Sequence, residues 1–189
     1  MENSKSRRNF IKKSVAAGIA IPLFGTSLFA CNFKSNKKLK ILILGGTSFL
    51  GPHQIAYALE RGHSVSIFTR GKTKATVHQA LFDQVEHLIG DRENDLTALE
   101  KGEWDVVIDN SGRNVQWTTD TANLLKDRAK LYIYTSSISA YYPYLGNDIT
   151  EETELVTKIP EGKEREYEYG VMKTNSELAA IHAFGKERS

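Results

Sequence analysis

The sequence predicts an α/β fold, a doubly wound parallel sheet with helices on both faces, and three observations carry that prediction. Short apolar runs bounded by turn residues alternate with segments of helical spacing, the pattern of repeated strand-helix units. The first run is apolar at nearly every position, as in strands covered on both faces. It then ends in a glycine cluster, Gly45-Gly46, with Pro52 soon after.

The elements follow in order. Leu39 to Leu44, interrupted only by Lys40, reads as a buried strand. Pro52 suits a first helical turn, where its missing N–H costs nothing, and Ile55, Ala56 and Leu59 recur at helical spacing until Gly62 stops the helix. Ser64 to Thr69 is a second strand with Val65 and Ile67 on one face. Val85 to Ile89 and Trp104 to Asp109 are further strands, separated by a short helical stretch at Leu96 to Leu99. Val115 to Ala129 reads as a helix, and Leu131 to Ser136, rich in aromatic and β-branched residues, as a strand. From Ser137 to about Glu166 runs a long acidic connection with Pro143, Gly146, Pro160 and Gly162. Loops of that length are usually functional or disordered. A last helix is expected from about Tyr167 to Phe184.

The N-terminal segment reads as an address rather than as fold. Ser6-Arg7-Arg8-Asn9-Phe10-Ile11-Lys12 is a twin-arginine pattern, and an uncharged, mostly apolar run from Ser14 to Ala30 follows it. Leu28-Phe29-Ala30-Cys31 looks like a lipobox, in which the signal is cut and Cys31 lipidated; a plain membrane anchor or an uncleaved signal is the alternative. Residues 1–30 are thus read as signal, 31–38 as linker, and 39–189 as the folded domain. Export by the twin-arginine machinery, ending in a membrane-attached lipoprotein or a periplasmic protein, is the expectation.

Composition narrows the classes. The 189 residues fit one domain of ordinary size, and 40% hydrophobic with 25% charged residues is the balance of a soluble globular chain. The net charge of +2 is carried by the signal, where Lys5, Arg7, Arg8, Lys12 and Lys13 face only Glu2; without that surplus of four the body stands near −2. A body so nearly neutral gives no electrostatic footprint for nucleic acid, which normally shows as a clustered basic face, and no nucleic-acid partner is expected. Cys31 is the single cysteine, so no disulfide framework or cysteine metal site is expected. His53, His63, His78, His87 and His182 show no ligand spacing, and no metal is expected.

Gly45-Gly46-Thr47-Ser48-Phe49-Leu50-Gly51 lies between the first strand and the first helix, where a dinucleotide-binding fingerprint belongs. Its glycines allow a tight turn and close helix packing, and backbone N–H groups at the helix start face a pyrophosphate. This turn, with Pro52-His53 and Arg61-Gly62-His63-Ser64-Val65, resembles extended short-chain dehydrogenases/reductases of the atypical NAD-dependent epimerase/dehydratase group, whose fold is Rossmann-like. Ser48 stands where that group has glycine, and its side chain must donate to the pyrophosphate or weaken its binding. After the second strand an acidic residue would hold a ribose 2′-hydroxyl, but Thr69-Arg70 stand there. Arg70 suits a 2′-phosphate, which favours NADP over NAD, and a solvated arginine beside a turn is the plain alternative. Asp91, in Gly90-Asp91-Arg92, resembles the family's residue near the adenine, although an Asp in a turn needs no such role.

Tyr169 and Lys173, four apart on a helix, project from one face, and an ammonium beside a phenol favours the phenolate form that general acid-base work uses. Ser137 follows the fifth strand, where parallel sheets place ligand-binding groups. Thr135-Ser136-Ser137-Ile138-Ser139-Ala140-Tyr141 resembles the family's serine motif, with Ser137 at the catalytic position and Ser136 the weaker choice. Asp109-Asn110-Ser111-Gly112 resembles the segment lining the nicotinamide. The resemblance covers nearly all of Leu39 to Ser189. It implies Tyr169 as proton-transfer residue, Lys173 as holder of the nicotinamide ribose and tuner of Tyr169, and Ser137 as orienter of the substrate oxygen. Glu151, Glu152 and Glu154 read as a solvated loop face.

The resemblance implies hydride transfer on a carbohydrate or polyol-like small molecule, with oligomer formation open. Outside the cytoplasm no nicotinamide pool is evident, so epimerisation or dehydration, which regenerate the cofactor, fit export better than net oxidation. Chains that resemble this one continue into another strand and a small C-terminal domain over the substrate. The sequence is therefore read as a fragment or a truncated product, its activity in doubt. The alternative function is a non-catalytic or inactive Rossmann binding protein acting as an interaction scaffold, as in group members that resemble RNA-binding proteins.

Overall fold

The computed structural model describes residues 37–143 and 148–189. The twin-arginine pattern, the apolar run, Cys31 and Gly146 of the long connection lie outside the described residues. In order, the body consists of β1 (Lys40–Leu44), α1 (Gly51–Glu60), β2 (Ser64–Thr69), β3 (Glu86–Ile89), β4 (Trp104–Asp109), α2 (Val115–Leu125), β5 (Ala129–Tyr134) and α3 (Glu164–Phe184). Short 3-10 turns occupy Gln79–Gln84, Thr97–Leu99, Ile138–Tyr141 and Lys186–Arg188.

All strand pairs are parallel, and the order is β3-β2-β1-β4-β5. Chain progression runs outward from β1 to β3 on one side and from β4 to β5 on the other. The order therefore reverses between β1 and β4, where an open parallel sheet leaves a crevice at its carboxyl end.

Alternation along β1 divides the core. Ile41 and Ile43 join Ile55 and Ala58 of α1 with Val65 and Ile67 of β2 on one face. Leu42 and Leu44 join Val107, Tyr132, Leu125 of α2 and Ala180 and Phe184 of α3 on the other. Each fully buried aliphatic side chain contributes roughly 1.5–3 kcal/mol, so neither face can be opened cheaply.

Three elements differ from the sequence expectation by more than one residue. The helix expected to reach Ala129 stops at Leu125, because Ala129 pairs with Trp104 and opens β5. Sheet pairing outweighs the helical preference of Lys126 to Arg128. For the same reason β5 is Ala129–Tyr134 rather than Leu131 to Ser136. The last helix begins at Glu164, three residues before its first buried residue, with Glu164 and Glu166 in the first turn where the helix dipole favours acids. No helix among the described residues is long and apolar enough to cross a membrane.

Candidate functional site

A cleft of about 1060 Å³ lies at the carboxyl end of the sheet, over the reversal point. Gly45, Gly46, Thr47, Ser48, Phe49 and Leu50 line one wall, Arg70 to Thr73 and Gly90 to Arg92 another, and Asn110 to Arg113 the floor, with Tyr169, Met172 and Lys173 opposite.

The glycine turn is built as a cradle. Gly46 has φ +108, and a Cβ at Gly51 would run into the backbone of Gly46, so α1 starts pressed against the turn. Ser48 does not take a left-handed backbone; among non-glycine residues described, that conformation falls on Phe49 (φ 49) and His78 (φ 56). Serine in place of glycine thus costs no backbone strain, and its exposed side chain lines the cleft. Phe49 carries the strain instead and is 88% exposed.

The cleft is bounded by two polar networks. In the first, Lys173 Nζ donates to the Thr135 carbonyl at 2.5 Å and lies 4.3 Å from the centre of the Tyr134 ring. The Thr135 hydroxyl donates to Asn110 Oδ1 at 2.9 Å, and Asn110 Nδ2 donates to Gln54 Oε1 at 2.6 Å. Burial holds the Lys173 ammonium below its ordinary range. Burial likewise pushes the Tyr134 phenol up to about 12, and that phenol donates to the Gly112 carbonyl.

In the second network, Arg92 and Asp109 form a buried ion pair. Arg92 Nη1 donates to Asp109 Oδ1 at 2.5 Å and Nη2 to Oδ2 at 2.8 Å. Arg92 Nη1 also donates to Ser111 Oγ, and Nη2 to the Trp117 carbonyl and Thr121 Oγ1. Tyr132 Oη donates to Asp109 Oδ2 at 2.7 Å. Burial alone would lower the guanidinium, but Asp109 more than reverses this, so Arg92 stays above its ordinary value.

Of the residues singled out from sequence, Gly45 to Leu50, Arg70, Asp91, Asn110, Ser111, Tyr169 and Lys173 all line this one cleft. Gly51 sits directly behind it. Tyr169 is 55% exposed and Lys173 is buried, as their positions on the rim and against the sheet require. Gly170 sets the approach of α3, since a Cβ there would meet the Ser139 carbonyl. Ser137 does not line the cleft: its Oγ accepts the Ser139 N–H and donates to Ser139 Oγ at the start of the 138–141 turn. Its neighbour Ser136 does line it, with an Oγ that has no hydrogen-bond partner. The Asp91 carboxylate accepts the Glu93 N–H, the ordinary work of an Asp in a turn. Arg92 and Gln54 were not among the expected site residues. In Gly90-Asp91-Arg92 the family resemblance points to the aspartate, and nothing in the local sequence marks the arginine as buried. No cluster of three or more His, Cys, Asp or Glu suited to a metal occurs among the described residues.

The chain matches no family model. It is 32% identical over 158 residues to the chloroplast stem-loop binding protein of 41 kDa b from Arabidopsis thaliana, a match covering 76% of this chain and 39% of that protein. Among solved structures it is similar to vestitone reductase from alfalfa, with TM-score 0.61 and 23% identity over 80% of this chain and 54% of that one. UDP-glucose 4-epimerase from Bifidobacterium longum, in complex with NAD+ and UDP, gives TM-score 0.61 and 20% identity over 76% and 48%. WbmG from Bordetella bronchiseptica, in complex with NAD and UDP, gives 0.60 and 16% over 77% and 50%. The fold is Rossmann-like. The chain spans about two fifths of the curated relative and about half of each of these solved chains.

Proposed function

We propose that this chain is the dinucleotide-binding part of an NAD(P)-dependent oxidoreductase of the epimerase/dehydratase kind, in the extended short-chain dehydrogenase/reductase family. The observation that carries the reading is the cleft at the sheet reversal, which the glycine turn, Asn110-Ser111, Tyr169 and Lys173 all line. The residues present fit such a ligand. The Gly45 N–H is taken by the Phe68 carbonyl and the Gly51 N–H by the Ser48 carbonyl, so a pyrophosphate would draw on the N–H groups between them, and a Cβ at Gly45 would stand 3.3 Å from Ser111 Cβ.

A bound nicotinamide supplies a hydride acceptor and donor. Within the chain, Tyr169 as the phenolate would take the proton of the substrate hydroxyl and as the phenol would return it in the reverse direction. Lys173, held by the Thr135 carbonyl, presents its remaining N–H donors to the ribose and its charge to Tyr169. Ser136, whose Oγ lines the cleft without a partner, orients the substrate oxygen in place of Ser137, whose Oγ is engaged with Ser139. Exposed Arg70 beside Lys72 favours NADP through a 2′-phosphate. The substrate is a carbohydrate or polyol-like molecule, and the neighbours solved with UDP support that class.

Titration of the 189-residue chain with NADPH and NADH, followed by nicotinamide fluorescence, tests the reading. Saturable binding with a preference for NADPH that Arg70→Ala removes is expected; absence of binding to either overturns it. Tyr169→Phe should keep binding and lose turnover.

A second reading, a stem-loop-binding scaffold without turnover, is favoured by the 32% identical stem-loop binding relative. It predicts stem-loop binding that weakens steeply with salt and survives Tyr169→Phe. We also propose export through Arg7-Arg8 and lipid attachment at Cys31. Cys31→Ser should then release the protein from membranes.

A further inference from the structure

We propose that Arg92 is the positioning residue of the cleft floor, fixing residues 110–113 against the glycine turn; its effect on affinity rests on the dinucleotide reading. Arg92 follows β3, yet its guanidinium reaches the end of β4 through Asp109, the floor through Ser111, and the first turns of α2 through Trp117 and Thr121. One planar fork therefore sets the separation of three chain segments. Asp109 extends the constraint: its Oδ1 accepts the Ser111 N–H at 3.0 Å, so Ser111 is held at both its backbone and its hydroxyl. Ser111 in turn packs against Gly45, so a shift of the floor changes the width of the cradle directly.

Stability gives a poor reason for this arrangement. Buried ion pairs are often no better than well-packed apolar residues of the same volume, because desolvation offsets the attraction. Arginine offers something those residues lack, several donors at fixed angles, and four different partners use them here. Lysine at the same position retains the charge opposite Asp109 but gathers its donors on one nitrogen, where the fork now spans Asp109, Ser111 and Trp117. Arg92→Lys thus separates pairing from positioning.

The experiment has two arms. Amide hydrogen exchange of the unliganded 189-residue chain compares peptides covering 110–114 with those covering β1. In Arg92→Lys, exchange at 110–114 should rise on the order of tenfold while β1 stays protected. In NADH titration the same variant should bind roughly tenfold more weakly, and adding Ser111→Ala should cost less than it does in the wild-type background, since coupled neighbours are not additive. Unchanged exchange in a folded Arg92→Lys overturns the proposal. Should Arg92→Lys fail to fold, Ser111→Ala, which keeps the ion pair, decides by the same exchange readout. If the wild type binds neither NADH nor NADPH, the dinucleotide reading fails, and the exchange arm alone still decides whether Arg92 positions the floor.

Discussion

Strand β4 carries an aspartate at each end, and the two live in different solvents. Asp105, near the start, accepts from Lys130 Nζ at 2.6 Å, with the lysine side chain 72% exposed. Asp109, at the end, is fully buried against an arginine side chain only 6% exposed. Lys130 and the Lys40 backbone N–H hold the Asp105 carboxyl below its usual range. At Asp109 the surroundings include Tyr132, whose phenol burial and the neighbouring carboxylate push well above its usual value. An aspartate paired with a cation is thus a solvated ornament at one end of the strand, with Lys130, and a fixed point of the cleft at the other, with Arg92. What differs is access to water, which sets both the strength of the attraction and the penalty for leaving one partner alone.

The comparison breaks most visibly at Asp109. Asp109→Ala leaves Arg92 buried without its counter-charge and should cost about 3–5 kcal/mol in urea denaturation. Arg92→Met with Asp109→Leu should recover most of that loss. A single Asp109→Ala that unfolds like the wild type would show that water reaches the pair. Next in size, Tyr132→Phe removes one hydrogen bond to a charged group and should cost about 1.5–3 kcal/mol in the same measurement.

Lys173 gives a smaller, pH-dependent effect. Burial lowers its folded value, so between that value and roughly 10.4, the free lysine's, the unfolded chain binds more protons and stability rises with pH. Lys173→Met should lack this rise; parallel pH profiles of melting temperature for the two proteins would refute the desolvation. Smallest of all, Lys130→Ala should leave the melting temperature nearly unchanged, and salt should remove what difference remains, because exposed pairs are screened. Salt should not touch the Asp109 effect.

Much of the fold was legible because it is written locally. Ser64 to Thr69 and Trp104 to Asp109 are strands at the expected bounds, since apolar runs between turn residues need no distant information. The glycine turn was equally plain, as its conformation is imposed by residues in direct succession. The end of α2 was not, because Ala129 is claimed by Trp104, a residue 25 positions away in the sheet. The candidate site divides in the same way. Tyr169 and Lys173 share a face by helical geometry alone. The partners of Arg92 come from positions 109 to 121, and sequence offers no spacing rule for them.

By itself the sequence determined the strand-helix alternation, the glycine cradle and the shared helix face of Tyr169 and Lys173, because each rests on geometry within a few residues. Only the tertiary structure decided that Arg92 is buried and that Ser136 rather than Ser137 faces the cleft. These outcomes depend on which elements pack together, and a side chain's exposure to water is fixed only when the sheet brings its neighbours into place.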